Sequence, residues 1–122
     1  MNSIEKKSLE MPEQIRKFPF GQVEVVTIGS ITFGRGTFHP GWKWSESVKP
    51  IVHTDSCLVP HTQFQLSGRL RVRMDDGTEV EYGPGDVGVI QPGHDAWVVG
   101  NVPVVVLDFT GFAHYAESAE HK

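Results

Sequence analysis

The apolar residues of this chain fall in runs rarely longer than about five positions, with glycine and proline spread between them. That is the pattern of many short strands joined by tight turns rather than of helices. Val23–Ile28 and Ile31–Phe38 are β-branched and aromatic on either side of Gly29-Ser30, and the pattern predicts a hairpin. His39-Pro40-Gly41-Trp42-Lys43-Trp44 follows, with two tryptophans two residues apart after a Pro-Gly turn. On an extended segment both would face one side, where packing in a core or an interface accounts for them. Ile51–Cys57 is expected as a further strand with His53, Asp55 and Cys57 on one face. Pro60 then interrupts the ladder, and His61 opens a new segment.

The sharpest local expectation concerns Arg69–Tyr82. A three-residue loop, Asp75-Asp76-Gly77, with Gly77 in the left-handed conformation sets Arg73 opposite Glu79, Val72 opposite Val80, Arg71 opposite Glu81 and Leu70 opposite Tyr82. A two-residue Asp76-Gly77 turn would put Arg73 opposite Val80 and mix the faces. Three arginines are thereby assigned to one solvated face, each near a carboxylate. Further on, Gly83–Asp86 reads as a turn, Val87–Ile90 as a strand, Gln91–Asp95 as a turn and Ala96–Val99 as a strand. Pro103–Phe109 is a continuous apolar run, expected of a strand covered on both faces. Residues 1–17 mix charges with few apolar positions and read as an arm without assigned structure. Residues 113–122 read as a polar tail that frays.

With 122 residues there is room for one domain, residues 1–122, that buries roughly two thirds of its unfolded surface. The expected class is all-β. A net charge of −4 without a Lys/Arg cluster argues against nucleic acid as a partner. The first residues lack the apolar core of a signal peptide and no run is long enough to span a bilayer, so no membrane association and a cytoplasmic location are expected. The single cysteine, Cys57, excludes an internal disulfide. The apolar N-terminal strands and Trp42 and Trp44 present more apolar surface than one small barrel covers, so a homodimer is expected.

Gly83-Pro84-Gly85-Asp86-Val87 through Gln91-Pro92-Gly93 resembles the second motif of the cupin superfamily, G-x5-P-x-G-x2-H. The run from His61 through Leu66-Ser67-Gly68-Arg69-Leu70 resembles the end of its first motif, H-x-H-x3-E-x6-G. The likeness covers roughly residues 31 to 110 and implies a cupin-type double-stranded β-helix, a jelly-roll barrel of two antiparallel sheets. The family's standard metal ligands are three histidines and a glutamate. Aligned on Gly68, the glutamate position holds His61 and the two histidine positions hold Cys57 and Asp55; aligned on Gly93, the last histidine position holds Ala96. The opening glycine of the first motif is Lys49.

Strict alternation from the inward positions Leu70, Val72 and Met74 would turn His61 outward. Either a bulge at Ser67-Gly68 resets the strand, or His61 lies on a bend where alternation does not apply. The resemblance implies an inward His61.

Cys57 and His61 are then two candidate ligands of a divalent metal, with a third from Asp55, His53 or His94 and open positions for water or substrate. A thiolate favours zinc, and a histidine-carboxylate set would suit iron. His53, Gln63 and Ala96 are expected to line the pocket. Against this stands the plainer reading of Cys57 as a small buried hydrophobe and His61 as a hydrogen-bonded core residue. A Cys57 nucleophile with His61 as base lacks a third, orienting residue. His39 and His114 read as surface residues, and His121 belongs to the tail. Two functions follow: a metal-dependent enzyme (oxygenase, isomerase or lyase) acting on a small polar molecule in the barrel, or a non-catalytic barrel that binds a small ligand or stores a metal. An enzyme needs a base in reach of its substrate, so His53, Asp55 or His94 would have to line the mouth.

Overall fold

A computed structural model describes residues 3–117. Nine strands form two antiparallel sheets that face one another. The larger sheet has the order β1-β2-β3-β9-β4-β7, from β1 (Gln14–Phe18), β2 (Gly21–Ile28), β3 (Ile31–Phe38), β4 (His61–Ser67), β7 (Val87–Ile90) and β9 (Val104–Asp108). The smaller has the order β6-β5-β8, from β5 (Arg69–Met74), β6 (Glu79–Tyr82) and β8 (His94–Val99). This is the all-β, double-stranded β-helix architecture. Its core lies between the sheets, with Val23, Val25, Phe38, Leu70, Val72, Ile90, Val104 and Val106 all buried.

The two hairpins form as their side-chain patterns require. Ile28 pairs with Ile31 across Gly29-Ser30, and β2 and β3 stay in register over their full length. In the β5–β6 hairpin Leu70 pairs with Tyr82, Arg71 with Glu81, Val72 with Val80 and Arg73 with Glu79, with Gly77 at φ 94. Inward His61 is explained by a bulge. The pairing of β4 with β9 shifts register between Gln65 and Ser67, after which Gly68 adopts φ 75 and the chain crosses to the other sheet. A side chain at Gly68 would sit 2.5 Å from the Pro103 carbonyl oxygen, so the crossing admits only glycine. With the extra residue absorbed there, His61, Gln63 and Gln65 all face inward and Leu66 faces out.

Four expectations are corrected. No strand runs over 51–57: α1 (Trp44–Ser47) and α2 (Lys49–Val52) are two helical turns, closed by His53 at φ 62. The β-branched residues there favoured a strand, but Trp44 and Val48 at i and i+4 both pack into the core and Pro50 suits a helix start. His53, Asp55 and Cys57 therefore share no face. β8 begins at His94 rather than after Asp95, because both follow the Gly93 turn in extended conformation. The arm gains structure at its end, where Gln14–Phe18 forms the edge strand β1.

The fourth correction concerns the tail, which is anchored through Tyr115. Arg16 donates to the carbonyls of Phe112 (3.1 Å) and Tyr115 (2.9 Å) and to that of Ala113. Phe112 and Tyr115 are thus held inside, where their apolar area outweighs the polar composition of the segment. His121 lies outside the described residues. Trp42 and Trp44 are buried in the barrel and are not the surface from which a homodimer was expected. No helix among the described residues is long and apolar enough to cross a membrane.

Candidate metal centre

Two strand starts and an isolated bridge meet at one end of the barrel. Cys57 forms an isolated antiparallel bridge with His94: its N–H donates to the His94 carbonyl at 2.7 Å, and its own carbonyl accepts from Gly93 N–H at 2.7 Å. His94 is the first residue of β8, and His61, directly after Pro60, is the first of β4. All three side chains are buried, and one donor atom from each lies within 4.8 Å of the others. Cys57 Sγ is 4.0 Å from His61 Nε2, and the two imidazole centroids are 5.3 Å apart. Donors around a tetrahedral zinc stand about 3.3–3.6 Å apart, given bond lengths of about 2.3 Å to sulfur and 2.0–2.1 Å to nitrogen. Separations of up to 4.8 Å would have to contract by up to about 1.5 Å to close the set on such an ion.

Each imidazole has one nitrogen engaged away from the centre. His61 Nδ1–H donates to Asp108 Oδ2, and His94 Nδ1–H donates to the Gln91 carbonyl at 2.8 Å. Both rings are thereby set in the tautomer that leaves Nε2 as a lone pair. Asp108 is fully buried at the end of β9 and is itself held: its Oδ1 accepts from the N–H of Thr110 (2.9 Å) and of Gly111 (3.0 Å). Gly111 passes directly over the ring, since a Cβ there would lie 2.7 Å from His61 Nδ1. A carboxylate, a histidine and an open Nε2 in series is the arrangement that orients imidazole ligands on metals.

Burial sets the charges. It would raise the Asp108 carboxyl, but the His61 hydrogen bond and the two backbone N–H groups prevail and hold it below its ordinary value. Burial lowers His94, only partly offset by the Gln91 carbonyl, so its ring is kept neutral. Burial pushes the Cys57 thiol up to about 12, against an opposing hydrogen bond from the Val59 backbone, with the Asp108 and Asp95 charges adding to the rise. In the absence of a cation Cys57 is therefore a thiol, which disfavours a thiolate nucleophile. A divalent ion would supply the positive charge that a buried thiolate needs.

His61 and His94 also line an interior cavity of ≈ 30 Å³, together with Gln63, Ala96 and a wall of aromatic and aliphatic side chains. Of the expected site residues, Cys57, His61 and His94 are brought together, and Gln63 and Ala96 face the cavity. Asp55 and His53 are exposed and not brought there, because the helical turns replace the strand that would have aimed them inward. Asp108 and Tyr115 were missed. Asp108 was legible as the lone carboxylate at the end of the apolar run Val104–Leu107. Tyr115 carried no signal, since its burial depends on Arg16, 99 positions away in the chain.

No family model matches the chain, and no curated protein does. Solved structures do. A protein of unknown function from Rhizobium leguminosarum bv. viciae aligns over 90% of this chain and 98% of its own, at 22% identity and TM-score 0.64. An uncharacterized conserved protein with a double-stranded β-helix domain from Klebsiella pneumoniae aligns over 91% and 90%, at 17% identity and TM-score 0.56. Bacillus subtilis oxalate decarboxylase aligns over 88% of this chain but 29% of its own, at 24% identity and TM-score 0.56. At such identities the likeness is one of fold. The chain has the cupin-type double-stranded β-helix, as its two motifs implied.

Proposed function

We propose that this barrel is a metal-binding cupin that holds one divalent transition metal through Cys57 Sγ, His61 Nε2 and His94 Nε2, with a further position open to the interior cavity. The observation that carries the reading is the pair of imidazoles whose Nδ1 atoms are both engaged, by Asp108 and by the Gln91 carbonyl, so that both Nε2 lone pairs are left beside a thiol. A packing role for Cys57 and His61 would not require that coincidence. One sulfur and two nitrogen donors favour zinc over iron, and the carboxylate that iron would prefer is not offered by Asp55. Bound there, the ion would supply Lewis acidity and a lowered pKa for a coordinated water.

The protein's own contribution is narrower. Asp108 fixes the His61 ring, Gln91 fixes the His94 ring, and the apolar wall excludes bulk water. Besides the two histidines, the one titratable side chain on the cavity wall among the described residues is Tyr115, whose phenol burial pushes well above its ordinary value. An oxygenase, isomerase or lyase built here would take its acid–base chemistry from the metal. The small cavity and the lack of a free base favour a second reading, a barrel that holds the metal or a small ligand without turnover.

Protein purified without chelator or a metal-affinity tag should carry stoichiometric zinc by elemental analysis. Cys57→Ser and His61→Ala should each remove most of it, and chelation should lower thermal stability by the lost binding contribution. Metal-free protein whose stability ignores chelator would overturn the metal reading.

A further inference from the structure

Around the proposed centre nearly every buried polar atom has a partner, with two donors excepted. Trp42 Nε1 and Gln63 Nε2 have no hydrogen-bond partner among the described residues, although Trp42 is 3% and Gln63 4% exposed. Both residues line the cavity that His61 and His94 line. Buried N–H donors are orphaned less often than acceptors, because a carbonyl keeps one lone pair in use when the other is idle. Gln65 Oε1, the third unpartnered atom, is an acceptor. Its amide nitrogen already donates to the Gly68 and Tyr82 carbonyls, and Gln65 does not line the cavity. The two idle donors thus both belong to residues of the cavity wall.

We propose that the cavity binds a small acceptor anion of about two or three heavy atoms, held by the indole N–H of Trp42 and the side-chain amide of Gln63. The inference rests on the metal reading of the same site for one further contact, at the open position. Size follows from the ≈ 30 Å³ of space, enough for about two or three water-sized groups. Polarity follows from the donors: an indole N–H can only donate, and the Gln63 amide offers its NH2. Charge follows from the centre. A divalent ion with one thiolate and two neutral imidazoles keeps a single positive charge, which an anion neutralises and an apolar wall leaves unscreened. The Asp108 carboxylate, which accepts from His61, Thr110 and Gly111, balances that charge only from behind the His61 ring, on the side away from the free Nε2.

The test titrates azide into zinc-loaded, 15N-labelled protein and follows the three indole N–H signals, with that of Trp42 assigned by its loss in Trp42→Phe. The expected result is a saturable shift of the Trp42 signal, and a loss of azide affinity of about tenfold or more in Gln63→Leu, the scale of one hydrogen bond to a charged group. Gln63→Met serves if the leucine variant does not fold. No saturable shift at Trp42, or a shift of undiminished affinity in the Gln63 variant, overturns the proposal and leaves ordered water as the partner of both donors. Zinc content measured on the same samples separates the two readings. If zinc does not load, the metal reading fails, and azide titrated into that zinc-free protein decides the donor pocket by the same shift at Trp42.

Discussion

The barrel carries two groups of ionisable side chains of similar size and opposite character. At the β4–β9 end, Cys57, His61, His94 and Asp108 are all buried, and the Nδ1 atom of each histidine is held by one fixed partner. On the outer face of the β5–β6 hairpin, Arg69, Arg71, Arg73, Glu79 and Glu81 form a charge ladder in contact with water. Arg71 there bonds to Glu79 at 2.8 Å and to Glu81 at 2.9 Å, so partners are shared and interchangeable. Inside, the low dielectric makes each lost partner expensive and fixes tautomer and protonation state. Outside, water replaces whatever is removed. Only the inner group can define a chemical site.

The comparison breaks hardest at Asp108. Asp108→Ala leaves His61 Nδ1–H and the Gly111 N–H without an acceptor in a buried place, and the part-buried Thr110 N–H as well. The expected loss is about 3–5 kcal/mol, measured by urea unfolding, a large part of what a domain of this size possesses. Asp108→Asn separates structure from chemistry. Its amide oxygen can still accept from the two backbone N–H groups, while its NH2 meets Nδ1 and drives the His61 proton to Nε2. Metal affinity should fall about 10–100-fold with a much smaller loss of stability. Unchanged affinity in this variant would leave Asp108 a purely structural role.

A smaller effect sharpens the comparison through pH. His94, lowered from 6.5 in the fold, binds a proton in the unfolded chain first, so stability falls as pH drops below about 6.5 towards its lowered value. Cys57, raised from 9.0 to about 12, ionises in the unfolded chain first. Metal-free protein should therefore lose stability as pH rises above 9, by up to about 1.4 kcal/mol per unit. Cys57→Ala should lack the part of that loss that begins near pH 9, while the buried phenol of Tyr115 and the part-buried one of Tyr82, also raised from 10.0, still contribute above about 10. Metal binding should abolish the Cys57 part, since the sulfur is then already deprotonated, and the affinity for metal should rise about tenfold per pH unit below the thiol pKa because one proton is released. An alkaline limb unchanged in Cys57→Ala would show that the thiol is not its source.

The strands were legible where side chains alternate against water, as in β2–β3 and β5–β6, because period-two burial is written in each residue's own chemistry. Cys57 and His61 were legible as ligand types in series. The third member was less so: Gln91-Pro92-Gly93 is a turn signal that reads His94 into a turn, and it is the pairing of His94 with Met74 on β5 and its bridge to Cys57 that set the start of the strand there. The 51–57 segment misled because the β-branched propensity of Ile51 and Val52 was outweighed by the helical turns that Trp44 and Val48, four residues apart, anchor in the core, a tertiary effect. Tyr115 was out of reach for the same reason, its place being set by a guanidinium on β1.

The smallest expected effect lies in the ladder itself. The Glu79→Gln/Glu81→Gln double variant removes both carboxylates that Arg71 touches, yet its denaturation midpoint should stay within replicate scatter of the parent, and adding salt to the parent should do no more. The register of the hairpin does not depend on those charges. It depends on Leu70 and Val72 facing inward and on the three-residue loop, in which Met74 N–H donates to the Thr78 carbonyl at 2.8 Å and Gly77 N–H to the Met74 carbonyl at 2.9 Å. Gly77→Val, at a φ of 94 that a β-branched residue rarely adopts, should therefore destabilise more than the loss of both carboxylates, although no side chain is removed and nothing lies within 4 Å of the added carbon. If the double variant were instead the less stable of the two, the ladder would be a structural element in its own right, and the contrast between inner and outer charges would fail.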